Sequence, residues 1–382
     1  LYAAAAILMI LVKSPLGRSA NGARRWLNLG PLSFQPSEIA KIAVIVCLSY
    51  MIVNMGRKIN TLKGFMMLAG SGGGLAFFAY VFTDNLSTAI IIFGITMGLI
   101  FIAHPKVRPF LIAAGVMLVI GIIVISYLSA TMETSTSFRL RRILVWLHPE
   151  DYASGDGYQT IQALYAIGSG GFLGRGLGNS IQKLGSVPEA QNDMIFSIVC
   201  EELGILGGLI ILLLFAYLLY RLFFIAQNAP DLFGSLMVSG IFIHIALQVI
   251  FNIAVVVNLM PNTGVTLPFF SYGGTSNLFL MAEMGLALSV ARQIKFKEPE
   301  VLTDEIIKCL DSTEGPDYVY TISTQGHGAY PEEQLIDDPE ITVTGAATEE
   351  QNNQWEYYCN EIHEMDNFVK ELTDALADYP ED

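Results

Sequence analysis

Long, uninterrupted apolar runs fill the first three quarters of the chain. A helix needs about 20 apolar residues to cross the hydrocarbon layer of a bilayer. Runs of that kind lie at 37–55, 64–82, 87–103, 109–129, 193–220, 233–257 and 273–291, with a truncated one at 1–12. Each is apolar all round rather than striped, and eight in succession predict a bundle in lipid rather than the buried helices of a soluble domain. The expected fold is therefore all-α: a polytopic membrane helix bundle with a large loop at 130–192 and a soluble C-terminal tail. Gly70 to Gly74, inside one span, read as a site of close helix packing.

Beyond residue 297 the pattern changes. Most of 298–382 is polar, with scattered Gly and Pro, and reads as solvated chain. Trp355, Tyr358, Ile362, Met365, Val369, Leu372 and Leu376 are spaced three and four apart, so 355–376 is a candidate amphipathic helix. It either docks on a cytoplasmic protein or folds back on the tail.

Charge sharpens the division into two domains, 1–297 and 298–382. The first holds 19 Lys/Arg and 12 Asp/Glu, the second 2 and 23. With 53% hydrophobic and 15% charged residues, an ordinary cytosolic enzyme is excluded. Nucleic acid is not an expected partner, because the body's cations are scattered and the tail is acidic. Cys47, Cys200, Cys309 and Cys359 form no C-x-x-C pair and suggest neither a disulfide framework nor a zinc site. The sequence opens at Leu1 inside an apolar run, so further residues are expected upstream.

Successive spans deliver their connections to alternate sides. Parity puts 13–36, 83–86, 130–192 and 258–272 on one side, and 56–63, 104–108, 221–232 and the tail on the other. Discounting the long loop, Lys/Arg counting favours a cytoplasmic tail. The outer loops then carry cations that ask for an anionic partner.

The polar signatures gather on that outer side. In GARRWLNLGPLSFQPSEIAK, Pro36 and Ser37 start a helix, with Ser37 as cap and Glu38 near its positive end. Lys41 then lies about 6 Å into the helix, a costly depth for an ammonium. It pairs either with Glu38 one turn away or with Glu201 or Glu202, which enter from the same side; the second is the expectation tested below. In the long loop, GYQTIQALYAI suits a short interfacial helix. The following GSGGFLGRGLGNS offers clustered backbone amides beside Arg175, a candidate cradle for a diphosphate or plain turn glycines. It lacks the GK[ST] of a P-loop. Asp193, in PEAQNDMIFSIVCEELG, reads either as a helix cap or as a functional acid, with Glu201 about 12 Å deeper on roughly the same face. NLMPNTGVTLPFFSYGGTSN, punctuated by Pro and Gly, reads as a rigid re-entrant turn.

Four stretches, GARRWLNLG…QPSEIAK, GYQTIQALYAIGSGGFLGRGLGNSIQKL, PEAQNDMIFSIVCEELG and LMPNTGVTLPFFSYGGTS, resemble in the same order those of the SEDS family. The wording GRGLGNSIQKL is more similar to its division and sporulation branch, FtsW and SpoVE, than to RodA. The resemblance covers residues 1 to about 295. It implies ten spans, two of them before Leu1, with both termini cytoplasmic.

It also implies a peptidoglycan glycosyltransferase that polymerises lipid II, an undecaprenyl-diphosphate-linked disaccharide pentapeptide. Such an enzyme works at the outer face of the bacterial cytoplasmic membrane, at the septum, with a class B penicillin-binding protein and divisome proteins. The family's essential carboxylate ends its P-E-A-H-T-D stretch, which makes Asp193 the catalytic residue. Asp193 would deprotonate the acceptor's 4-hydroxyl, while Arg24, Arg25, Arg175 or Lys183 offset charge on the departing undecaprenyl diphosphate. Lys41, Gln159, Glu189, Ser271, Gly273 and Gly274 complete the candidate substrate-binding set, and Glu38, Glu201 and Glu202 are the pairing carboxylates. A divalent cation, Mg or Mn, held partly by Asp193 is an alternative role for that acid. Two departures stand out: the family's Q-P-D-L-G-T turn reads TDNLST, with Asn85 in place of its Asp, and its His before the catalytic pair is Gln191. The competing functions are a lipid II flippase, for which Glu283 inside the last span speaks, and a noncatalytic scaffold for the cross-linking enzyme.

Overall fold

The computed structural model describes residues 1–20, 23–29, 32–106, 138–155, 157–294, 339–345 and 348–377, with isolated positions at 108, 110, 115, 119, 123 and 307. The expected span at 109–129 therefore lies almost wholly outside the described residues. The chain divides into two compact units, Leu1–Ile294 and Lys295–Asp382.

The first unit is a helix bundle. Its helices are α1 (Tyr2–Leu11), α2 (Pro36–Met55), α3 (Leu62–Phe82), α4 (Leu86–Ala103), α5 (Phe138–Leu147), α6 (Tyr158–Gly170), α7 (Ile195–Gln227), α8 (Leu232–Val256) and α9 (Gly274–Ala291). Five of them, α2, α3, α4, α7 and α8, are long and apolar enough to cross a membrane, and α1 is a shorter apolar helix. Helix α9 matches the last expected run but carries Glu283 at its middle. The chain is thus a multi-pass helical membrane protein, as the apolar runs predict.

Helix α2 sits at the centre, packed by α1, α3, α4, α8 and α9. Ile45, Leu48, Ile92, Ile95, Leu99, Leu236 and Ile241 are almost fully buried there. Lipid is as apolar as these side chains, so close packing rather than expulsion from water holds such helices together. Gly72 is one of the residues that permits it: a Cβ there would fall 2.1 Å from Thr96 Oγ1 on the neighbouring helix.

Glu38 and Lys41 correct one expectation. Lys41 Nζ lies 2.9 Å from Glu38 Oε2, both groups are nearly buried, and Ser276 of α9 donates to the same carboxylate at 3.3 Å. Lys41 therefore pairs within its own helix and not with Glu201 or Glu202. The reason is distance along one helix face: residues three apart are adjacent, so the pair forms without any tertiary adjustment. The cap also differs, since Gln35 occupies that position and donates to Ser37 Oγ at 2.8 Å. Lys41→Met should cost about 3–5 kcal/mol in thermal unfolding by stranding the Glu38 charge, and adding Glu38→Gln should recover most of the loss.

The outer connections are more structured than the apolar pattern reveals. Strands β1 (Gly17–Ala20), β2 (Ala23–Leu29) and β3 (Leu32–Phe34) form an antiparallel sheet in the order β1-β2-β3. Buried Leu27 faces Gly17 on one side and Phe34 on the other. These strands are too short for period-two alternation to stand out from the sequence.

The parity argument holds at this end of the bundle. Lys13 pairs with Asp84 at 2.7 Å, and Arg25 donates to the Asp84 carbonyl at 3.2 Å. Ser87 donates to the Thr263 carbonyl and Arg142 to the Asn262 carbonyl. The connections assigned to one side are thus joined to each other. Within TDNLST, Asn85 caps α4 by accepting from Thr88 N–H at 3.0 Å, while Asp84 takes up Lys13.

In the second unit, α10 (Glu349–Leu376) contains the predicted seam. Glu356 and Asn360 on its buried side bind the backbone of 341–343, so this face folds onto the tail itself. Trp355, Ile362 and Val369 of the seam remain exposed.

Candidate active site

Asp193 stands two residues before α7, behind Met194, the helix's cap position, which makes no side-chain cap bond. It is therefore not the helix-capping carboxylate that its place in the sequence first suggests. Three contacts fix the segment. Asn252, buried on α8, donates to the Asp193 carbonyl at 2.7 Å and to the Val265 carbonyl at 2.8 Å. Ser271 Oγ donates to the Asn192 carbonyl, and Tyr272 N–H to the Gln191 carbonyl. The stretch 191–193 is thereby laced to the turn at 257–273, which passes through left-handed backbone at Asn258, Gly264 and Phe269.

The carboxylate has its own setting. Gln159 Nε2 lies 3.5 Å from Asp193 Oδ1 and also donates to the Pro188 carbonyl. Asn262 Nδ2 donates to Gln159 Oε1 at 2.7 Å, which orients the glutamine amide with its nitrogen toward Asp193. On the other side is Gly264, where a Cβ would come within 3.7 Å of Asp193 Oδ2. Burial pushes the carboxyl from its ordinary value of 3.8 up to about 6, against a hydrogen bond from its own backbone; Glu189 adds to the rise and Arg142 opposes it. Arg25 is lowered by burial and by Arg142 beside it. Arg142 thus links the acid to a second cation.

Arg142, Asn252 and Asn262 were not among the candidates read from the sequence. Arg142 was legible only as one of several outer cations, and the two asparagines sit in segments read for span and turn.

Of the two roles open to the glycine-rich loop, a diphosphate cradle or turn and packing glycines, the structure shows the second. Helix α7 breaks at Gly204, whose φ of 70° and ψ of −172° are not helical. Loop residues complete the broken ladder: Arg175 and Gly176 N–H donate to the Glu201 and Glu202 carbonyls at 3.0 and 2.9 Å. Ile205 and Leu206 N–H donate to the Gly171 and Phe172 carbonyls in return. The approach is so close that a Cβ at Gly174 would fall 2.2 Å from the Glu202 carbonyl oxygen.

Both glutamate side chains turn back onto the loop. Buried Glu201 accepts from Ser180 Oγ, Ile181 N–H and Gln182 N–H, and lies 3.6 Å from Arg175. Glu202 accepts from Gly178 N–H and pairs with Lys183 at 2.6 Å. The loop amides are therefore consumed internally, and Arg175 and Lys183 are brought to Glu201 and Glu202.

The remaining candidates fall as follows. Glu189 is exposed, in left-handed backbone, and accepts from Asn192. Ser271 is buried, and its hydroxyl, which accepts from Leu267 N–H, is spent on the turn. Gly273 and Gly274 open α9, and Arg24 is exposed on β2. Among the described residues no three of His, Cys, Asp or Glu are grouped to hold a metal ion. A Mg or Mn ion held partly by Asp193 would need most of its oxygen ligands from outside such a group.

A many-helix membrane protein with a buried acid, cations and amides at one end is a class with known members. The family model for FtsW, RodA and SpoVE, described as cell cycle protein, matches residues 1–296, and the chain belongs to that family. Stage V sporulation protein E of Bacillus subtilis is 40% identical over 76% of this chain and 77% of its own length. A probable peptidoglycan glycosyltransferase FtsW of Coxiella burnetii is 36% identical over 75% of this chain and 76% of its own. Among solved structures, a chain from a study of polymerization and crosslinking by a peptidoglycan synthase complex shares 28% identity and a TM-score of 0.63, covering 78% of this chain and 81% of that one. The Thermus thermophilus rod shape determining protein RodA gives 28% identity and 0.53, covering 78% of each chain. A second family model, Sulfatase, matches residues 258–382.

Proposed function

We propose that this protein is a peptidoglycan glycosyltransferase that polymerises lipid II into glycan strands at the outer face of the bacterial cytoplasmic membrane, in division or sporulation. The observation that carries the reading is Asp193, a buried carboxyl raised to about 6 with the Gln159 amide beside it, its own carbonyl held by Asn252, and Arg142 acting on it. A base with that affinity is ionised at neutral pH yet takes up a proton readily. It removes the proton of the acceptor's 4-hydroxyl as that oxygen bonds to the donor's anomeric carbon. The bond from that carbon to the diphosphate breaks, and undecaprenyl diphosphate leaves with the electron pair. Arg142 and Arg25 supply positive charge toward the leaving group, and Asp193 returns its proton to water.

The same reading places a class B penicillin-binding protein beside the bundle and divisome proteins around it at the septum. It puts the acidic tail in the cytoplasm, where the exposed seam of α10 meets a protein partner. Support for the cross-linking partner comes from the structural neighbour described as a peptidoglycan synthase complex.

The deciding experiment is polymer synthesis from lipid II by the purified protein with its penicillin-binding partner. Native protein should give polymer and Asp193→Asn none, and undiminished polymer from the variant would overturn the assignment. One observation favours transport instead: His244, Gln248 and Asn252 form a buried polar file on α8, ending at a His244–Glu283 pair 2.8 Å apart. Movement of lipid II across vesicles containing the protein, without polymer, would establish that alternative.

Asn252 gives a second test. Asn252→Ala removes both hydrogen bonds that hold the Asp193 and Val265 carbonyls, so the carboxylate loses its fixed place. Turnover should fall about 100-fold with KM nearly unchanged, as misplacement of a catalytic group predicts.

A further inference from the structure

Helix α10 presents two faces. Glu356 and Asn360 bond to the backbone of 341–343, and His363 lies 2.8 Å from Glu340, so one side of the helix is fastened to the segment 340–343. Trp355, Ile362 and Val369 lie on another side and stay about half exposed. We infer that this second face docks a basic amphipathic helix of another protein. The inference rests on the reading that the tail meets a cytoplasmic protein, and adds to it the chemistry of that partner.

Spacing sets the shape of the occupant. Seven residues fall only about 20° short of two full helical turns, so 355, 362 and 369 form one nearly straight row, about 21 Å long. Tyr358, Met365 and Leu372, each partly buried, fill the alternate positions beside it. An alternation of three and four over several turns is the seam into which a second helix fits its own side chains. Thr348 caps the first turn, accepting from Gln351 N–H at 3.2 Å. Trp355, whose ring meets that of Tyr358 edge-on with centroids 5.8 Å apart, is the largest exposed side chain of the row and its anchor.

Charge then selects among the possible occupants. Residues 349–376 hold eight Asp/Glu and one Lys, and exposed Asp366 falls between Ile362 and Val369 along the row. A second copy of α10 would set the same excess of acid against itself. The rest of the tail is no better suited, since 298–338 carries 11 Asp/Glu and one Lys. An anionic lipid surface is repelled for the same reason. A helix with Lys or Arg on both flanks of an apolar stripe meets the seam with its stripe and the acids with its rim, where charge decides the choice of partner.

The test uses the full-length protein in phosphatidylcholine nanodiscs and a fluorescein-labelled helical peptide of three heptads, with Leu along its seam and Lys on both flanks. Fluorescence anisotropy should show binding above that to empty nanodiscs, weakening about tenfold between about 50 and about 500 mM salt. The same peptide with Glu on its flanks should bind at least about tenfold more weakly. Trp355→Ala with Ile362→Ser should weaken the Lys peptide about tenfold or more while circular dichroism stays unchanged, because both side chains are exposed. Equal binding of the two peptides, no loss in the double variant, or no binding above empty nanodiscs would overturn the docking assignment. Sedimentation that finds two native chains per particle and one double-variant chain would overturn it in favour of a second copy. Cleavage of the tail by protease added outside intact cells would instead overturn the reading of the tail as cytoplasmic.

Discussion

Asp193→Asn should yield a protein that is more stable than the native one and inactive. The sign follows from the direction of the shift. A carboxyl whose folded value is about 6 against an ordinary 3.8 holds its proton more tightly when folded, so ionising it opposes folding. The native state is fully favoured below 3.8 and loses stability as pH rises through 6. By neutral pH the cost is roughly 3 kcal/mol. Asparagine fills the same space, keeps the backbone bond to Asn252 and cannot ionise. Thermal unfolding in detergent should show the variant ahead by several degrees at pH 7.5, with the gap closing toward pH 4.5. Activity of the native protein has the opposite dependence, because the base works only when ionised: kcat/KM should fall about tenfold per pH unit below 6. Equal melting temperatures at pH 7.5 would show that the carboxylate is not desolvated.

Glu201→Ala should be the most damaging change outside the acid. Glu201 is fully buried and accepts from a hydroxyl and two backbone N–H groups of the loop, with Arg175 close by. Removing it leaves those donors without their acceptor away from water, and breaking such a buried charged cluster typically costs about 3–5 kcal/mol. The loop around Arg175 and Lys183 should then open. Both residues are trypsin sites, so limited proteolysis reads the result directly: rapid cleavage at 175 and 183 in the variant, slow cleavage in the native protein. Glu201→Gln keeps the shape and one accepting oxygen, so its loss should be intermediate. Unchanged cleavage and melting in Glu201→Ala would mean the loop is held by its backbone ladder alone.

The bundle was legible because runs of about 20 apolar residues have one stable form in lipid. The acid at 193 was legible through its motif, and Gln159 with it. The partners of the ionised groups were not. Lys41 and Glu201 share a side of the bundle, and only in the folded chain does it emerge that Glu38, three residues off, satisfies the lysine while Ser180 and the amides after it satisfy the glutamate. The glycine loop stayed open between two readings for a related reason. Clustered N–H groups and small residues serve equally to bind an anion or to fit a chain into a broken helix, and the composition of 168–180 is the same for both. The sheet at 17–34 and the roles of Arg142, Asn252 and Asn262 depend on contacts between segments far apart in sequence, which no local periodicity encodes.

The break at Gly204 also bears on how the carboxylate rides in the bilayer. Helix α7 is about 50 Å long, well beyond the hydrocarbon thickness, and the 23 residues after the break alone span about 34 Å. Because the loop supplies the bonds missing on both sides of the break, it clamps the short stub from 195 to 203 and the top of the shaft at Ile205 and Leu206 to the same stretch, 171–176. A tilt of that shaft in lipid of changed thickness would therefore pass through the clamp to the stub, and so to the acid that precedes it.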